Sequence, residues 1–597
     1  MQAVSIGPVL TLTGAGIETE LRAADPSLDC AGTLSNSVGC WLRRLEWAVG
    51  IIIVTVAITL HIRFVTHVGG LWRDETNSVN LATLPTFAEV WHFLDYDSFP
   101  ILYFALLRTW AGIFGAGNDE ALRALGLLIG LSVLGALWAN ARAFGCRVPL
   151  LSLALVGLNP MIVRYGDSNR AYGLGILLIL LTLRSFWRLV ERPAAPSTRR
   201  IAVAAILSVL SVQCLYYNAV LLLALATGAV AVTIRARAWR TAGIILLIGA
   251  FAGASLLPYA PIIIRMREWT FLVSYPASFS WLWKRAGEVM GSPEPGAVWL
   301  WVALVVVGLG IATVLGARAL LRRRGPKADS QSQQASEGLP AAVIFAAVTL
   351  VIGVAGYSGF LKMLNYYTQP WYYVTLAAFV ACTLDAIFAA WPINPNHNRF
   401  TMALRCLRPA VAILLLCFTL PLTWSELPTR HTNVDLIAAQ IQRHSQKGDV
   451  ILVPRWECAI SFCRYYHGQG ELVTIPPIDD HRFHRYDLVL AQMSIANAHQ
   501  PVLDRLEQAL RSGHRVFLAD ALPVPDAEVQ LPSLRAPYQD PNGGWHGVPY
   551  DEIWKAHVGR FLRTHAKRGC RIEVPLTPGA QVQNFEELDP GVLEGWH

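Results

Sequence analysis

Long apolar runs separated by short basic loops dominate this sequence of 597 residues. The first run reads IIIVTVAITLHIRFV over residues 51–65. A helix needs about 20 predominantly apolar residues to cross a bilayer, and it must satisfy its own backbone hydrogen bonds there. The chain is 54% hydrophobic and 15% charged, whereas a soluble domain is roughly 25% charged. These features predict a multispan membrane protein.

The net charge of +8 does not indicate nucleic-acid binding. Lys and Arg are dispersed over short loops, and they form no basic face interleaved with aromatic residues. The polar residues before Arg43 and Arg44 predict a cytoplasmic tail over 1–45. A signal peptide is not expected, because its basic residues would lie close to Met1.

Basic segments orient the spans, because cytoplasmic loops are enriched in Lys and Arg. Six such segments are predicted to be cytoplasmic: Arg43–Arg44, Arg142–Arg147, Arg188–Arg200, Arg235–Arg240, Arg318–Lys327 and Arg399–Arg408. Placing all of them on one side predicts a multispan domain over 46–424 with about eleven spans, at 46–66, 122–142, 148–164, 172–188, 201–217, 218–234, 241–263, 297–317, 339–357, 370–390 and 409–424. The segment 100–114 is predicted to lie along the interface, since a crossing there would invert the charge bias downstream.

From about residue 425 short β-type runs alternate with helical patterns, with strands predicted at 449–453, 487–491 and 515–520 and helices at 432–446 and 499–512. This predicts an α/β domain with a parallel sheet over 425–597, outside the membrane because it follows the last span. No glycine-rich nucleotide fingerprint occurs, so we expect the domain to position an acceptor. Cys458, Cys463 and Cys570 are compatible with one disulfide or with free thiols.

The tripeptide Arg73-Asp74-Glu75 follows the first apolar run, where the helix is expected to leave the bilayer. Ionisable residues at a membrane edge are costly, and they usually serve a function. A carboxylate suits a general base that takes a proton from an acceptor hydroxyl, and an adjacent pair also suits Mg²⁺ or Mn²⁺. A structural ion pair at the helix end is the alternative.

Arg170, within VRYGDSNRAYGLG (163–175), is the second candidate. Its planar fork suits a phosphate at the outward end of a short span, and interfacial snorkelling is the alternative. We expect the outward segments 164–172, 264–296 and 358–369 to converge with Asp74. The polar linker 325–338 has no predicted function.

The chain resembles the GT-C glycosyltransferases, in particular the branch of the protein O-mannosyltransferases and the bacterial enzymes that transfer aminoarabinose to lipid A. The matching features are Asp74-Glu75 after the first span, Pro100, Tyr103 and Leu107-Arg108-x-Trp110 in 95–110, Arg170-x-Tyr172, and the segment 361–373. Phe99 stands where the family commonly has a His, so any role of that His is absent here.

The resemblance implies a role for each matched residue. Asp74 is implied to be catalytic, with Glu75 as its partner. The residues expected to bind the donor phosphate or the substrate are Arg73, Arg170, Tyr172, Asp167, Asp97, Lys362 and Tyr366. Asp167 is displaced by one residue from the family's acidic position, which is Ser168 here. For Asp97, a turn-forming role is the alternative.

These observations together predict an inverting glycosyltransferase of the bacterial inner membrane. It would use a polyprenyl-phosphate-linked sugar on the extracytoplasmic face, and the acceptor is left open among protein, lipid and polysaccharide. A secondary transporter is the first alternative, although such proteins usually show repeated halves with broken helices. A non-catalytic membrane protein that binds glycan is the second.

Overall fold

The computed structural model describes residues 34–194, 196–270, 277–324, 341–366, 368–389, 399–526, 528–532, 539–540, 544–545, 547–574 and 582–597. Most of the predicted cytoplasmic tail (residues 1–33) and the linker 325–338 lie outside these ranges. So do the first two residues of the span predicted at 339–357.

Nine helices in the described residues are long and apolar enough to cross a membrane. They are Cys40–His67, Asp119–Ala143, Ala171–Val190, Asn218–Arg235, Trp239–Arg267, Ala297–Arg318, Ala341–Leu364, Pro370–Ala389 and Cys406–Glu426. The prediction of a multispan membrane protein is therefore confirmed. Two of the eleven predicted spans are not among these nine helices.

The two differing spans are 201–217 and 148–164. The first is a helix of 17 residues, Thr198–Cys214. The second is divided into Leu150–Gly157 and Pro160–Gly166. The division follows from local chemistry, because Asn159 accepts a hydrogen bond from Ile162 N at 3.0 Å and a proline occupies the first position of the new helix.

The segment predicted to lie along the interface is the helix Ile101–Phe114, which has 14 residues. At 1.5 Å per residue it is about 21 Å long, shorter than the hydrocarbon thickness of about 30 Å. Three further helices lie between or beside the spans: Arg73–Ala82, Phe87–His92 and Phe279–Met290. The helix Ala260–Thr270 overlaps the end of the span Trp239–Arg267.

A buried aspartate ties three helices of the bundle together. Asp385 accepts hydrogen bonds from Ser152 N at 2.9 Å and Ser152 Oγ at 2.6 Å, at the N-terminus of Leu150–Gly157. Arg408 Nη2 lies 3.4 Å from the same carboxylate. A carboxylate at a helix N-terminus is favourable, and the arginine offsets its charge.

The C-terminal α/β region (residues 430–597) contains a five-stranded sheet. The strand order is Glu471–Thr474, Val450–Val453, Val516–Leu518, Gly591–Trp596, Ala566–Arg571. The first three strands are parallel, and Gly591–Trp596 is antiparallel to both of its neighbours. Shorter pairs join Arg430–Thr432 to Val582–Glu586 and Gln539–Asp540 to Gly544–Trp545.

Five helices accompany this sheet: Val434–His444, Ala459–Tyr465, Tyr486–Met493, Gln500–Arg511 and Val548–His565. The strand predicted at 487–491 is wrong, because these residues belong to the helix Tyr486–Met493. A short apolar run does not distinguish strand from helix, and here Val489 and Met493, four apart, share the buried face. Cys458, Cys463 and Cys570 are free thiols.

The C-terminal α/β region packs onto the helix Arg73–Ala82 and its surroundings. Tyr465 OH donates to Asp119 Oδ2 at 2.6 Å and accepts from Leu71 N at 2.6 Å. His484 N donates to Asn77 Oδ1 at 3.0 Å. These bonds fix the region directly over the tripeptide that the sequence singles out.

Candidate active site

A cavity of about 440 Å³ lies between the loops of the membrane helices and the C-terminal α/β region. Ligand sites commonly occupy about 300–1,000 Å³ at such boundaries. Its membrane-side wall includes Arg73, Asp74, Asp95, Asp97, Arg170, Tyr172, Met266, Tyr366, Gln369, Trp371 and Tyr372. Its other wall includes Trp456, Glu457, Pro476, His484, Tyr486, Val489, Asp551 and Trp554.

Asp74 lies in the first turn of the helix Arg73–Ala82, where a carboxylate is favoured by the helix dipole. Its Oδ1 is 3.3 Å from His484 Nε2 and 3.5 Å from Arg73 Nε. Its Oδ2 is 4.0 Å from Arg170 Nη2. Burial alone would raise the pKa of Asp74, but His484, Arg170 and Arg73 hold that pKa well below its usual value.

Arg170 is held by its Nη1 atom. This nitrogen donates to Asp74 O at 2.9 Å, to Ser78 Oγ at 2.7 Å and to Asp97 Oδ2 at 2.8 Å. The guanidinium also lies over the Phe99 ring, 4.5 Å from its centroid. Among the described residues Nε has no hydrogen-bond partner, and Nη2 lies 4.0 Å from Asp74 Oδ2.

Asp97 holds Arg170 and does not merely form a turn. Its Oδ2 also accepts from Ser78 Oγ at 2.9 Å and from Asn77 Nδ2 at 3.2 Å, while its Oδ1 accepts from Ser98 N at 2.7 Å. Asp97 lines the cavity and positions Arg170, while its contact with substrate stays a prediction.

Tyr172 and Tyr366 both line the cavity. The Tyr172 ring contacts the Phe99 ring edge-on at 5.2 Å, so the phenylalanine lies between Arg170 and this tyrosine. Tyr366 lies 6.0 Å from Tyr372, ring to ring, on the same wall.

Glu75 points away from Asp74 and does not line the cavity. Its fully buried carboxylate is paired with Arg123, accepts from Asn169 N at 2.8 Å and lies 3.3 Å from Trp72 N as part of a capping box. These partners belong to the helix packing, so the structure gives Glu75 a structural position.

Asp167 and Lys362 also lie outside the cavity. Asp167 Oδ2 is 2.7 Å from His61 Nδ1, in a buried pair packed against the helix Asp119–Ala143. A Cβ built on Gly130 would lie 1.9 Å from Asp167 Oδ1, so only a glycine at this position lets the helix and the aspartate side chain pack this closely. Lys362 Nζ donates to Ala277 O at 2.6 Å. Neither side chain contacts Asp74 or Arg170 in the described structure.

The C-terminal α/β region supplies site residues that the sequence analysis missed. His484 contacts Asp74, and Glu457 Oε1 lies 3.3 Å from Arg73 Nη1. Trp456 and Tyr486 pack around His484, with ring centroids 6.4 and 5.7 Å from its ring. The alternation of basic and aromatic residues in HRFHRY (481–486) is the signal that would have pointed here.

The site residues do not fit a shared divalent cation. The carboxylates of Asp74 and Glu75 diverge, and Asp74 faces His484 and two arginines. Within the described residues no group of three or more His, Cys, Asp or Glu side chains could hold a metal ion. We therefore derive no chemical step from Mg²⁺ or Mn²⁺.

No protein-family model and no curated protein matches this chain. Among solved structures it is similar to ArnT from Cupriavidus metallidurans bound to undecaprenyl phosphate, with 13% identity, 79% of this chain and 92% of that chain covered, and a TM-score of 0.43. It is also similar to the Archaeoglobus fulgidus oligosaccharyltransferase tethered with an acceptor peptide, with 11% identity, 79% and 68% covered, and a TM-score of 0.41. Because these TM-scores lie below 0.5, no residue role is transferred from either protein.

Proposed function

We propose that this chain is a membrane glycosyltransferase that moves a sugar from a polyprenyl-phosphate-linked donor to an acceptor hydroxyl on the extracytoplasmic face. The observation that carries the proposal is the carboxylate of Asp74, which lies between Arg73, Arg170 and His484 in a cavity at the end of the first span. A base beside fixed cations is what transfer from a phosphate leaving group requires.

The arginines suit the donor phosphate. Arg170 Nε has no hydrogen-bond partner among the described residues, and Nη2 lies 4.0 Å from Asp74 Oδ2; together they would form the two-pronged donor that matches a phosphate. Arg73 lines the same cavity and is held by Glu457 at 3.3 Å. Both cations would stabilise the negative charge that develops on the departing phosphate.

Asp74 suits the proton acceptor. Its pKa is held well below its usual value, so the carboxylate stays ionised at any working pH, although a strongly lowered pKa also weakens it as a base. A phosphate bound at Arg170 and Arg73 would offset their charge and raise the basicity of Asp74. Donor binding would thereby prepare the base for the acceptor.

The reaction is an inverting displacement. The acceptor oxygen forms a bond to the anomeric carbon while the bond from that carbon to the phosphate oxygen breaks. The acceptor proton passes to Asp74, and polyprenyl phosphate leaves with the electron pair of the broken bond on its phosphate oxygen. One displacement at the anomeric carbon inverts its configuration.

The position of the site favours transferase over transporter. The cavity lies at the end of the first span and against a folded α/β region, whereas transporter sites commonly lie near the bilayer midplane between broken helices. Residues 1–45 are proposed to be cytoplasmic and 425–597 extracytoplasmic, in an inner membrane, from the six basic segments on one side.

The test is transfer by the purified chain from a labelled undecaprenyl-phosphate sugar. We expect release of undecaprenyl phosphate, either to an acceptor from the envelope fraction or slowly to water. A reporter active only outside the cytoplasm should be active when fused after His597. A preparation that binds the donor but never cleaves it would support the glycan-binding alternative.

A further inference from the structure

Asn77 lies in the helix Arg73–Ala82, and its fully buried side-chain amide forms three hydrogen bonds. The Oδ1 atom accepts from His484 N at 3.0 Å. The Nδ2 atom donates to Tyr96 O at 3.2 Å and to Asp97 Oδ2 at 3.2 Å. Turning the amide over would set its oxygen against two acceptors and its NH₂ group against a donor. Only one orientation of this side chain therefore satisfies its surroundings.

Through Asp97 this amide acts on Arg170. The Oδ2 atom of Asp97 accepts from Asn77 Nδ2, from Ser78 Oγ at 2.9 Å and from Arg170 Nη1 at 2.8 Å. Asn77 and Ser78 are consecutive residues of one helix, so their two neutral donors set the place of the oxygen that the guanidinium binds. Without the amide donor Asp97 and Arg170 would shift together, and a misplacement of about 1 Å at a reacting site can cost on the order of 10²-fold in rate.

The same amide also acts on the surroundings of Asp74. The bond from His484 N to Asn77 Oδ1 fixes the backbone of the residue whose imidazole lies 3.3 Å from Asp74 Oδ1. Asp74 and Asn77 are three positions apart in one helix, so they share a face of that helix and meet the same segment of the C-terminal α/β region. One amide therefore lies between the cation expected for the phosphate and the histidine beside the base.

Docking of the C-terminal α/β region does not by itself account for these contacts. Asn80, three positions further along the helix, donates from Nδ2 to Arg482 O at 2.9 Å and so binds the same segment. That bond involves neither Asp97 nor Arg170, and Asn80 is only partly buried. Asn77 differs because its NH₂ group faces a carboxylate that holds an arginine of the cavity.

We propose that Asn77 is a positioning residue of this enzyme. Its amide holds Asp97 in the place that directs Arg170 to the donor phosphate, and it holds His484 where the imidazole contacts Asp74. This inference rests on the proposed function, which assigns the phosphate to Arg170 and the acceptor proton to Asp74. It adds that both assignments depend on one residue that does not itself line the cavity.

The first test variant is Asn77→Asp, which keeps the size of the side chain and an oxygen for His484 N. The other carboxylate oxygen replaces the NH₂ group and faces Asp97 Oδ2. At pH 8 the two like charges should displace Arg170, so the affinity for undecaprenyl phosphate should fall by about 10-fold or more relative to wild type. At pH 5 two carboxyl groups that share a site hold a proton between them, and its O–H donates to Asp97 in place of the lost N–H. The affinity should then return to within about 3-fold of wild type.

Binding is measured on the full chain in nanodiscs with increasing mole fractions of undecaprenyl phosphate. Tryptophan fluorescence is a suitable readout because Trp371 and Trp456 line the cavity. Each variant is compared with wild type at the same pH, which removes the titration of the phosphate itself. Asn80→Asp is the matched control, because it makes the same substitution on the same helix at a side chain that binds Arg482 O, and its affinity should equal that of wild type at both pH values.

Asn77→Ala keeps the test valid if Asn77→Asp folds poorly. It removes the amide altogether, so its affinity should be lowered at pH 8 and at pH 5 alike. Wild-type affinity at pH 8 in either folded variant would overturn the positioning role. So would a deficit in Asn77→Asp that is equally large at pH 5, as expected of a residue that only packs. Cleavage of the labelled donor by wild type, measured in the same preparation, tests the proposed function separately.

Discussion

His484 Nε2 lies 3.3 Å from Asp74 Oδ1 and joins the C-terminal α/β region to the first loop of the membrane region. The imidazole is itself held by its stacking on Tyr486 at 5.7 Å and by the bond from His484 N to Asn77 Oδ1. The environment of the carboxylate is therefore complete only when the two parts of the chain are docked.

Replacing His484 by Phe tests this contact. The imidazole is one of the groups that lower the pKa of Asp74, so its loss should raise that pKa. Because the wild-type carboxylate stays ionised between pH 4 and 8, wild-type turnover should show no acidic limb from Asp74 in that range, whereas His484→Phe should show one at the acidic end. The measurement is donor turnover between pH 4 and 8. His467→Phe, at an exposed histidine of the same region, is the control, and an identical profile in both variants would mean that His484 does not act on Asp74.

Replacing Arg170 by Lys tests the phosphate contact. Lysine keeps the charge beside Asp97 but removes the two-pronged geometry, so donor affinity should fall by about 10- to 100-fold, the value of one or two hydrogen bonds to a charged group. Undecaprenyl phosphate binding is the quantity to measure, and Arg511→Lys at an exposed position is the control. Undiminished affinity in a folded Arg170→Ala protein would leave Arg170 only the structural role of pairing with Asp97.

Much of this arrangement could be predicted from the sequence. The spans could be predicted from apolar runs and basic loops, because the bilayer favours apolar residues in its core and basic residues in cytoplasmic loops. Asp74 and Arg170, which lie 96 positions apart, come together because both follow the ends of helices on the same side of the bundle. The sequence alone could therefore predict that Asp74 and Arg170 lie in one cavity.

The direction of each side chain could not be predicted. Glu75 is adjacent to Asp74, yet consecutive helical residues face different directions, and Glu75 meets Arg123 inside the packing. His484 was missed because its contact depends on how a separately patterned region docks. The apolar run at 487–491 carried too little periodicity to distinguish helix from strand.

Glu75→Gln should act on stability. The buried carboxylate balances Arg123, and removing one partner of a buried pair typically costs about 3–5 kcal/mol. Thermal unfolding in detergent should show the loss, while donor binding by the folded fraction stays close to wild type. Glu120→Gln, at an exposed glutamate, is the matched control. An unchanged melting temperature together with lost turnover would instead place Glu75 in the chemistry.

Glu586→Gln should flatten the dependence of stability on pH. Burial raises the pKa of Glu586 from 4.5 to about 7, against the charge of Arg73, whose backbone N–H donates to this carboxylate at 2.9 Å. Between these values the unfolded chain has released the proton that the folded chain still holds, so the free energy of unfolding falls as pH rises through this window.

The wild-type chain should lose on the order of 3 kcal/mol of stability from this group between about pH 4.5 and 7. Urea unfolding at several pH values, compared between wild type and Glu586→Gln, isolates the contribution of this one carboxyl. Glu587→Gln changes the exposed neighbour and should follow the wild-type curve. Parallel curves for wild type and Glu586→Gln would contradict a protonated, buried Glu586.

Asp74→Asn is the decisive change for the proposed mechanism. The amide keeps the size of the side chain and its place among Arg73, Arg170 and His484, but it cannot accept the acceptor's proton. Turnover should fall by roughly 10²–10⁴-fold. Undecaprenyl phosphate should still bind, and more tightly than to wild type, because the negative charge beside Arg170 is removed. Turnover at the wild-type rate in a folded Asp74→Asn protein would eliminate the general-base role and return Asp74 to a structural ion pair at a helix end.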